Sequence, residues 1–445
     1  MPRFSPRFSP RLTLSTAVLG LAALGMSACG PSVGSDSAAG ADVDFTGVEP
    51  AESITFWSNH PGGSMEIEEE IIAGFTEESG IEVQLVTAGA NYEEVSQRFQ
   101  TAQTSDDVGD MVVVSDATWF TNFANDSLLP VDQALEAAGA DTSTYQETLY
   151  DDYLYDDAHY AVPYARSTPI FYYNKDQYAE AGLEDRAPAT WDEVKANSEQ
   201  LQEAEVANSA LAYPKEDSYP AWILGNLVWG YGGGWSSEWD MSAMTSPETV
   251  EAVQFAQDST QDGWATVSSG TPEDDFAAGA TSQILASTGS LKGILDTADF
   301  EVGVGFLPGG PAETEAVVPT GGAGVAISAK SSPEEQLASA MFLDYLTNSA
   351  NTALFSEGTG YLPVRTDADM GAVYETTPQF QVAVEQLAKT RTQDPGRVLL
   401  PGGDLTIAKS LQTILTSNVD VTEQLQSAQD EMQSLYDNDV PEKLK

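Results

Sequence analysis

Cysteine, histidine and basic side chains are nearly absent from this 445-residue chain. The single cysteine, Cys29, excludes an intramolecular disulfide. Two histidines, His60 and His159, leave little material for imidazole catalysis, and both read as structural or surface residues. Neither a His-Glu-x-x-His zinc motif nor an Asp-x-Asp-x-Asp-Gly calcium loop occurs, so no metal or cofactor is expected. Only 18 Lys and Arg stand against 69 Asp and Glu, a formal net charge of −51 that excludes a nucleic-acid partner. The acids are spread along the chain, as in Glu68-Glu69-Glu70, Asp151-Asp152, Asp156-Asp157 and Asp274-Asp275, and read as a solvated surface. With no cross-link available, stability rests on burial. A chain of about 400 residues after its leader is long enough for two lobes with sizeable cores.

The leader is the one apolar run of note. Arg3, Arg7 and Arg11 form a positive n-region and Leu12 to Leu24 a short apolar h-region, with Ser27-Ala28 before a cleavage point. The run is too short and too rich in Ser and Thr to span a membrane, and no second segment approaches that length. Met26-Ser27-Ala28-Cys29 followed by Gly30 resembles the lipobox of bacterial lipoproteins, which implies lipidation of Cys29 and removal of residues 1–28. Losing the three arginines takes the charge to −54. The expected location is the outer face of a bacterial cell membrane, held by lipid alone.

Residues 29–50 are small and polar and read as a flexible tether. A strand at Ile54–Trp57 is followed by Ile67, Ile71, Ile72 and Phe75 at helical spacing, then by alternating Ile81, Val83 and Leu85. This strand–helix–strand unit implies a parallel sheet. Tyr92–Ala102 continues as helix, Met111–Val114 reads as a buried parallel strand, and Thr190 with Glu193 reads as a capping box. Val325–Ile327 reads as a further buried strand, and Leu337, Met341, Phe342, Tyr345 and Leu346 share one helix face. Extended, Pro-broken stretches at 161–174, 302–308 and 358–363 read as crossings between lobes.

Binding features outweigh catalytic ones. Gln283 to Leu295 reads strand, tight turn, helix, with Ser290 placed to cap and Lys292 adding charge, an arrangement suited to an anionic oxygen cluster. Gly321-Gly322 is a second place where backbone could approach a ligand. Trp222, Trp229, Trp235 and Trp239 put four of eight tryptophans within 18 residues. Such rings stack on sugars or hold a quaternary ammonium, and Trp222, after a proline, is the one expected in the cleft.

Tyr172-Tyr173-Asn174-Lys175, Pro188-Ala189-Thr190-Trp191 and Gly360-Tyr361-Leu362-Pro363, in that order behind a lipobox and tether, resemble the extracellular solute-binding proteins, family 1, which serve ABC importers of sugars and polyols. The resemblance covers residues 51–440 and is strongest to the glycerol-3-phosphate-binding subgroup. Asn91-Tyr92-Glu93-Glu94, Ser167-Thr168-Pro169, Thr288-Gly289-Ser290-Leu291 and Gly321-Gly322 are similar to its segments. By that resemblance Tyr92, Ser167, Ser290, Gly322 and Tyr361 contact ligand, Asp116 stands where the subgroup has an acidic hydroxyl-binding residue, and Arg397 matches its phosphate-binding arginine. Two departures mark the chain: Pro395–Leu400 replaces an Arg-rich stretch, and Asp116 is shorter than the expected glutamate.

The resemblance implies an α/β fold of periplasmic-binding-protein type, maltose-binding-protein-like. Each of its two lobes is expected to be a mainly parallel sheet flanked by helices, with the ligand cleft at the hinge. Lobe one is expected at residues 51–166 plus 306–357 and lobe two at 167–305 plus 358–445. The expected function is capture of glycerol-3-phosphate or a glycerophosphodiester such as glycerophosphocholine, by a monomer that delivers it to ABC permease subunits. A zwitterionic diester would feel less repulsion than a dianion from so acidic a protein. In this scheme Ser290 and Arg397 take the phosphate, Asp116 and Tyr92 the glycerol hydroxyls, and Trp222 the carbon skeleton. The alternatives are a neutral sugar in the same role, a secreted lipoprotein hydrolase and an adhesion lipoprotein; no enzyme activity is expected.

Overall fold

The computed structural model describes residues 43–105 and 107–444. The expected signal peptide, Cys29 and the expected tether as far as residue 42 lie outside the described residues. The expected tether ends early: Val43 and Phe45 are half-buried against the first core, because two apolar side chains suffice to dock a short polar segment.

Ten strands build two five-stranded sheets. They are β1 (Ser53–Ser58), β2 (Glu82–Thr87), β3 (Met111–Ser115), β4 (Val162–Ser167) and β5 (Pro169–Asn174). Then follow β6 (Ser209–Tyr213), β7 (Ala265–Val267), β8 (Thr281–Ser287), β9 (Val302–Gly305) and β10 (Gly321–Ile327). The first sheet runs β2-β1-β3-β10-β4 and the second β9-β5-β8-β6-β7. All five strands of the first lie within 53–167 and 321–327, and all five of the second within 169–305.

Local chemistry explains the elements. β3 is Met-Val-Val-Val-Ser and buried throughout, as a central strand covered on both faces requires. The helix Met65–Ser79 sets Ile71 and Phe75 against that core, and Tyr92–Ala102 begins where the Asn91 side chain accepts from the Glu94 N–H at 2.9 Å. The helix Pro333–Leu346 opens on a reciprocal capping box between Ser332 and Glu335. At Trp191–Glu203 the box is only half formed. Thr190 Oγ1 accepts from the Glu193 N–H, but the Glu193 carboxylate accepts from the Ala189 N–H at 2.6 Å, one residue early, where the Arg186 guanidinium also engages it.

The sheets are less parallel than helical crossovers imply. β1 pairs in parallel with β2 and β3, and β6 with β7 and β8, but β10 runs antiparallel to β3 and β4, and β5 antiparallel to β8 and β9. The antiparallel members are the strands that cross. β4 and β5 are separated by Thr168 alone, so the chain passes from one sheet to the other across a single residue. A second passage joins β9 to β10. The third follows Gly360, which ends the helix Ser349–Thr359 in a left-handed conformation, and Leu362 then donates to the Arg166 carbonyl at 2.8 Å.

One side chain ties two of these passages. Gln386, fully buried, donates to Thr168 Oγ1 at 3.1 Å and to the Pro169 carbonyl at 2.6 Å, and its own carbonyl accepts from the Leu307 N–H at 2.8 Å.

The acidic sequence is not all surface. Glu68 is wholly buried, accepting from Ser58 at 2.8 Å and Tyr164 at 3.0 Å and pairing with His60. Asp152 pairs with the buried Arg166 and accepts from Thr320 at 2.6 Å. Both expectations of a solvated run fail because specific donors were brought to them by distant strands.

Candidate ligand-binding site

A cavity of about 220 Å³ lies where the ends of the two sheets meet. The first sheet contributes Ser115 and Asp116 after β3, Ser167 at the end of β4 and Gly322 in β10; Tyr92 and Glu93 come from the first turn of their helix. Opposite them stand Tyr219, Trp222, Glu273, Ser287, Gly289 and Ser290, with Tyr361, Arg397 and Asp404 from later segments. All eight residues expected to bind ligand (Tyr92, Asp116, Ser167, Trp222, Ser290, Gly322, Tyr361 and Arg397) line this one cavity.

Arg397 is held from three sides. Its guanidinium pairs with Asp116, with Asp404 at 2.6 Å, and with the Gln393 carbonyl. Burial alone would lower its pKa, but the two carboxylates outweigh that and raise it, so it stays charged. Burial likewise lifts the Asp404 carboxyl, with Arg397 pulling the other way. Gln393 donates to Asp116 at 2.9 Å and to the Thr320 carbonyl at 2.7 Å. The segment itself is anchored by buried Asp394, which accepts from Trp229 Nε1 at 3.0 Å and the Trp235 N–H at 2.7 Å. Arg397 therefore already has two carboxylate partners within the chain.

The strand–turn–helix after β8 forms as expected, but its polar groups are used otherwise. Ser290 caps nothing. Its hydroxyl donates to Glu273 at 3.1 Å, and the cap is Ser287, which accepts from the Gly289 N–H at 3.0 Å. Lys292 faces away and pairs with Asp296 one turn on, because an i,i+4 carboxylate is its nearest partner. Burial pushes the Glu273 carboxyl up.

Aromatic walls complete the site. Trp222 packs over Gly321 and donates from Nε1 to the Thr320 carbonyl at 2.9 Å. Trp235 is buried in the core of the second sheet, Trp229 is buried under Arg391, and Trp239 packs on Tyr436, so Trp222 alone of the four meets the cavity. Tyr361 lies between the Gly62 and Gly289 turns, so close that a Cβ on Gly289 would sit 2.7 Å from its ring. Its hydroxyl is 3.4 Å from that of Tyr92, and burial raises both phenols, which keeps them neutral. His60 and His159 lie outside the lining. His60 bonds Glu68 and Thr87, and His159 stacks on Tyr150 beside Asp132.

Nine lining residues lie outside the eight expected ones, among them Glu93, Tyr219, Glu273 and Asp404. Glu93 was visible in principle, since an Asn91 cap places residues 92 and 93 together in the first turn. Burial, aided by Asp404 and Asp116, pushes its carboxyl up to about 7. Tyr219 carries a left-handed backbone (φ 58°) before Pro220, a strain sequence does not announce. Asp404 and Glu273 had no local signal. Among the described residues no cluster of three or more His, Cys, Asp or Glu is placed to hold a metal ion.

Two sheets joined by three crossing segments around a cavity of aromatic walls with a few charged and hydroxyl groups define a receptor for a small solute. The chain belongs to the bacterial extracellular solute-binding protein family, whose profile matches residues 70–382. It is 26% identical over 363 residues to the sn-glycerol-3-phosphate-binding periplasmic protein UgpB of Pectobacterium atrosepticum, covering 77% of this chain and 80% of that one. The structure is similar to that of UgpB from Mycobacterium tuberculosis in complex with glycerophosphocholine, with TM-score 0.83, 39% identity, and coverage of 88% of this chain and 100% of that one. It also shares its fold with the GacH receptor of Streptomyces glaucescens, at TM-score 0.75 and 20% identity over 88% of this chain and 100% of that one.

Proposed function

We propose that this chain is the solute receptor of an ABC importer, anchored outside the membrane by lipid on Cys29, and that it captures glycerol phosphate or its diesters between two closing lobes. The lobes of this proposal are residues 51–166 plus 306–357, and 167–305 plus 358–445, acting in a monomer that hands its ligand to permease subunits. The carrying observation is the convergence of Tyr92, Asp116, Ser167, Trp222, Ser290, Gly322, Tyr361 and Arg397 on one cavity. Similarity to a protein crystallised with glycerophosphocholine supports the ligand class.

The geometry divides the roles. Ser167 and Ser287 border the cavity near the turn after β8 and offer hydroxyls to phosphate oxygens, while Ser290 keeps its proton on Glu273. Arg397, neutralised by Asp116 and Asp404, presents with Asp116 a mixed donor and acceptor surface suited to vicinal hydroxyls rather than to a dianion. Trp222 covers the carbon skeleton.

A thermal-shift panel on the chain from residue 43 onward tests this. At about 1,000-fold excess over the dissociation constant, a glycerophosphate ligand adds about 4 kcal/mol of stability and raises the midpoint, while maltose-type sugars leave it unmoved. Stabilisation by the sugars alone would overturn the phosphate reading and move the ligand contact to the aromatic walls.

A further inference from the structure

The cavity holds four carboxylates, Glu93, Asp116, Glu273 and Asp404, against one guanidinium. Three of the four have partners. Asp116 and Asp404 share Arg397, and Glu273 accepts from Ser290. Among the described residues Glu93 pairs with no cation, and the contact that favours its carboxylate is its own backbone N–H. It shares the cavity lining with Tyr219, whose phenol feels the Glu93 carboxylate and whose ring centroid is 6.3 Å from that of Tyr92. A half-buried carboxylate without a counter-ion, lining a cavity together with the Tyr219 ring, lacks only a positive group of the ligand's own.

We propose that Glu93, with Tyr219 beside it, is the specificity-determining seat for an ammonium-bearing head group, so that the receptor prefers glycerophosphodiesters with cationic heads over those with neutral or anionic ones. This rests on the reading of the cavity as a glycerophosphate site. A zwitterionic diester brings one positive charge to Glu93 and one negative charge to the serine hydroxyls. It therefore enters a strongly acidic protein without net repulsion, whereas an anionic head meets an unpaired carboxylate and is rejected. The tyrosine rings recognise a trimethylammonium by cation–π attraction, which a neutral glycerol head cannot return.

A titration follows from the same contact. The groups facing Glu93 are Asp116 after β3, Asp404 at the start of Gly403–Thr416 with Arg397 beside it, and Tyr219 before Pro220. The Glu93 carboxyl, at about 7, is mostly ionised at pH 8 and mostly protonated at pH 6. Only the ionised form attracts a cation, so affinity for the choline diester falls about tenfold between pH 8 and pH 6.

The test is isothermal calorimetry on wild type, Glu93→Gln and Tyr219→Leu with two probes, glycerophosphocholine and glycerophosphoglycerol, at pH 6 and pH 8. Wild type is expected to prefer the choline diester, and the ratio of the two affinities to fall at least tenfold in Glu93→Gln together with its pH dependence. Tyr219→Leu lowers the same ratio while keeping the pH dependence. Equal loss for both probes in Glu93→Gln, or a wild type that binds both alike, overturns the role of Glu93 and leaves the glycerophosphate reading standing. A wild type that binds neither diester overturns both.

Discussion

Replacing Arg397 with methionine lowers ligand affinity more than about 100-fold and destabilises the protein by about 3–5 kcal/mol at neutral pH, the range for removing one partner of a buried ion pair. Arg397 is 4% exposed, and methionine fills much of its volume, so lost packing is a small part of the effect. The large part is electrostatic. Asp116 and Asp404 are left without the guanidinium that both contact, and Gln393 alone remains on Asp116.

The pH dependence of the loss separates this from a packing defect. The folded pKa of Asp404 is already raised, and removing Arg397 takes away the main influence holding it down. A carboxyl whose folded value lies above its unfolded value favours folding below the unfolded value and loses that contribution as pH rises through the folded one. The deficit of the variant is therefore largest at pH 7 and shrinks on acidification toward pH 5, as urea unfolding at the two values will show. A loss under about 1 kcal/mol, equal at both, would mean that the carboxylates are solvated and the cluster carries no binding geometry.

Gly322→Ala is expected to unfold the same corner from the backbone side. Gly322 has φ 87°, and a Cβ there would press on the Ala165 carbonyl oxygen in the neighbouring strand β4, closer than any real contact. The ladder between β10 and β4 already shifts register between Gly322 and Gly324, so the irregularity is built around this residue. Left-handed strain and the clash together cost at least about 3 kcal/mol. The Gly322 carbonyl accepts from the Asp116 N–H at 3.1 Å, so the displaced strand carries Asp116 with it and ligand binding falls too. Gly293→Ala is the control. It sits exposed on the helix Leu291–Thr297 with nothing within 4 Å of a new Cβ, and gains up to about 1 kcal/mol.

What the sequence disclosed follows the range of the interactions involved. Elements set by neighbours on the chain were legible: the helix Tyr92–Ala102 begins and ends where its cap and periodicity place it, and the Val-Val-Val run of β3 is a buried central strand. The three crossings were legible because proline and glycine punctuate them. Strand direction was not, since β10 returns antiparallel only after the chain has visited the second sheet. The intramolecular partners of Ser290 and Arg397 were hidden for a related reason. Each meets a carboxylate far from it in sequence, Glu273 and Asp116 respectively, and composition could report an excess of acid without saying which acids face inward. Glu68 and Asp152 escaped in the same way, read as surface and found paired with buried donors.

Gln386 gives the hinge its mechanical character. Thr168 and Leu307 belong to separate passages of the chain, yet one amide grips both, and Thr168 also accepts from the Thr288 N–H at 2.9 Å at the edge of the cavity. Two ropes clasped together twist as one. In the closing motion proposed above, a torque applied by ligand at the Ser287–Ser290 turn would reach both passages without slack, and the lobes would share a single axis of rotation rather than sag separately on independent threads.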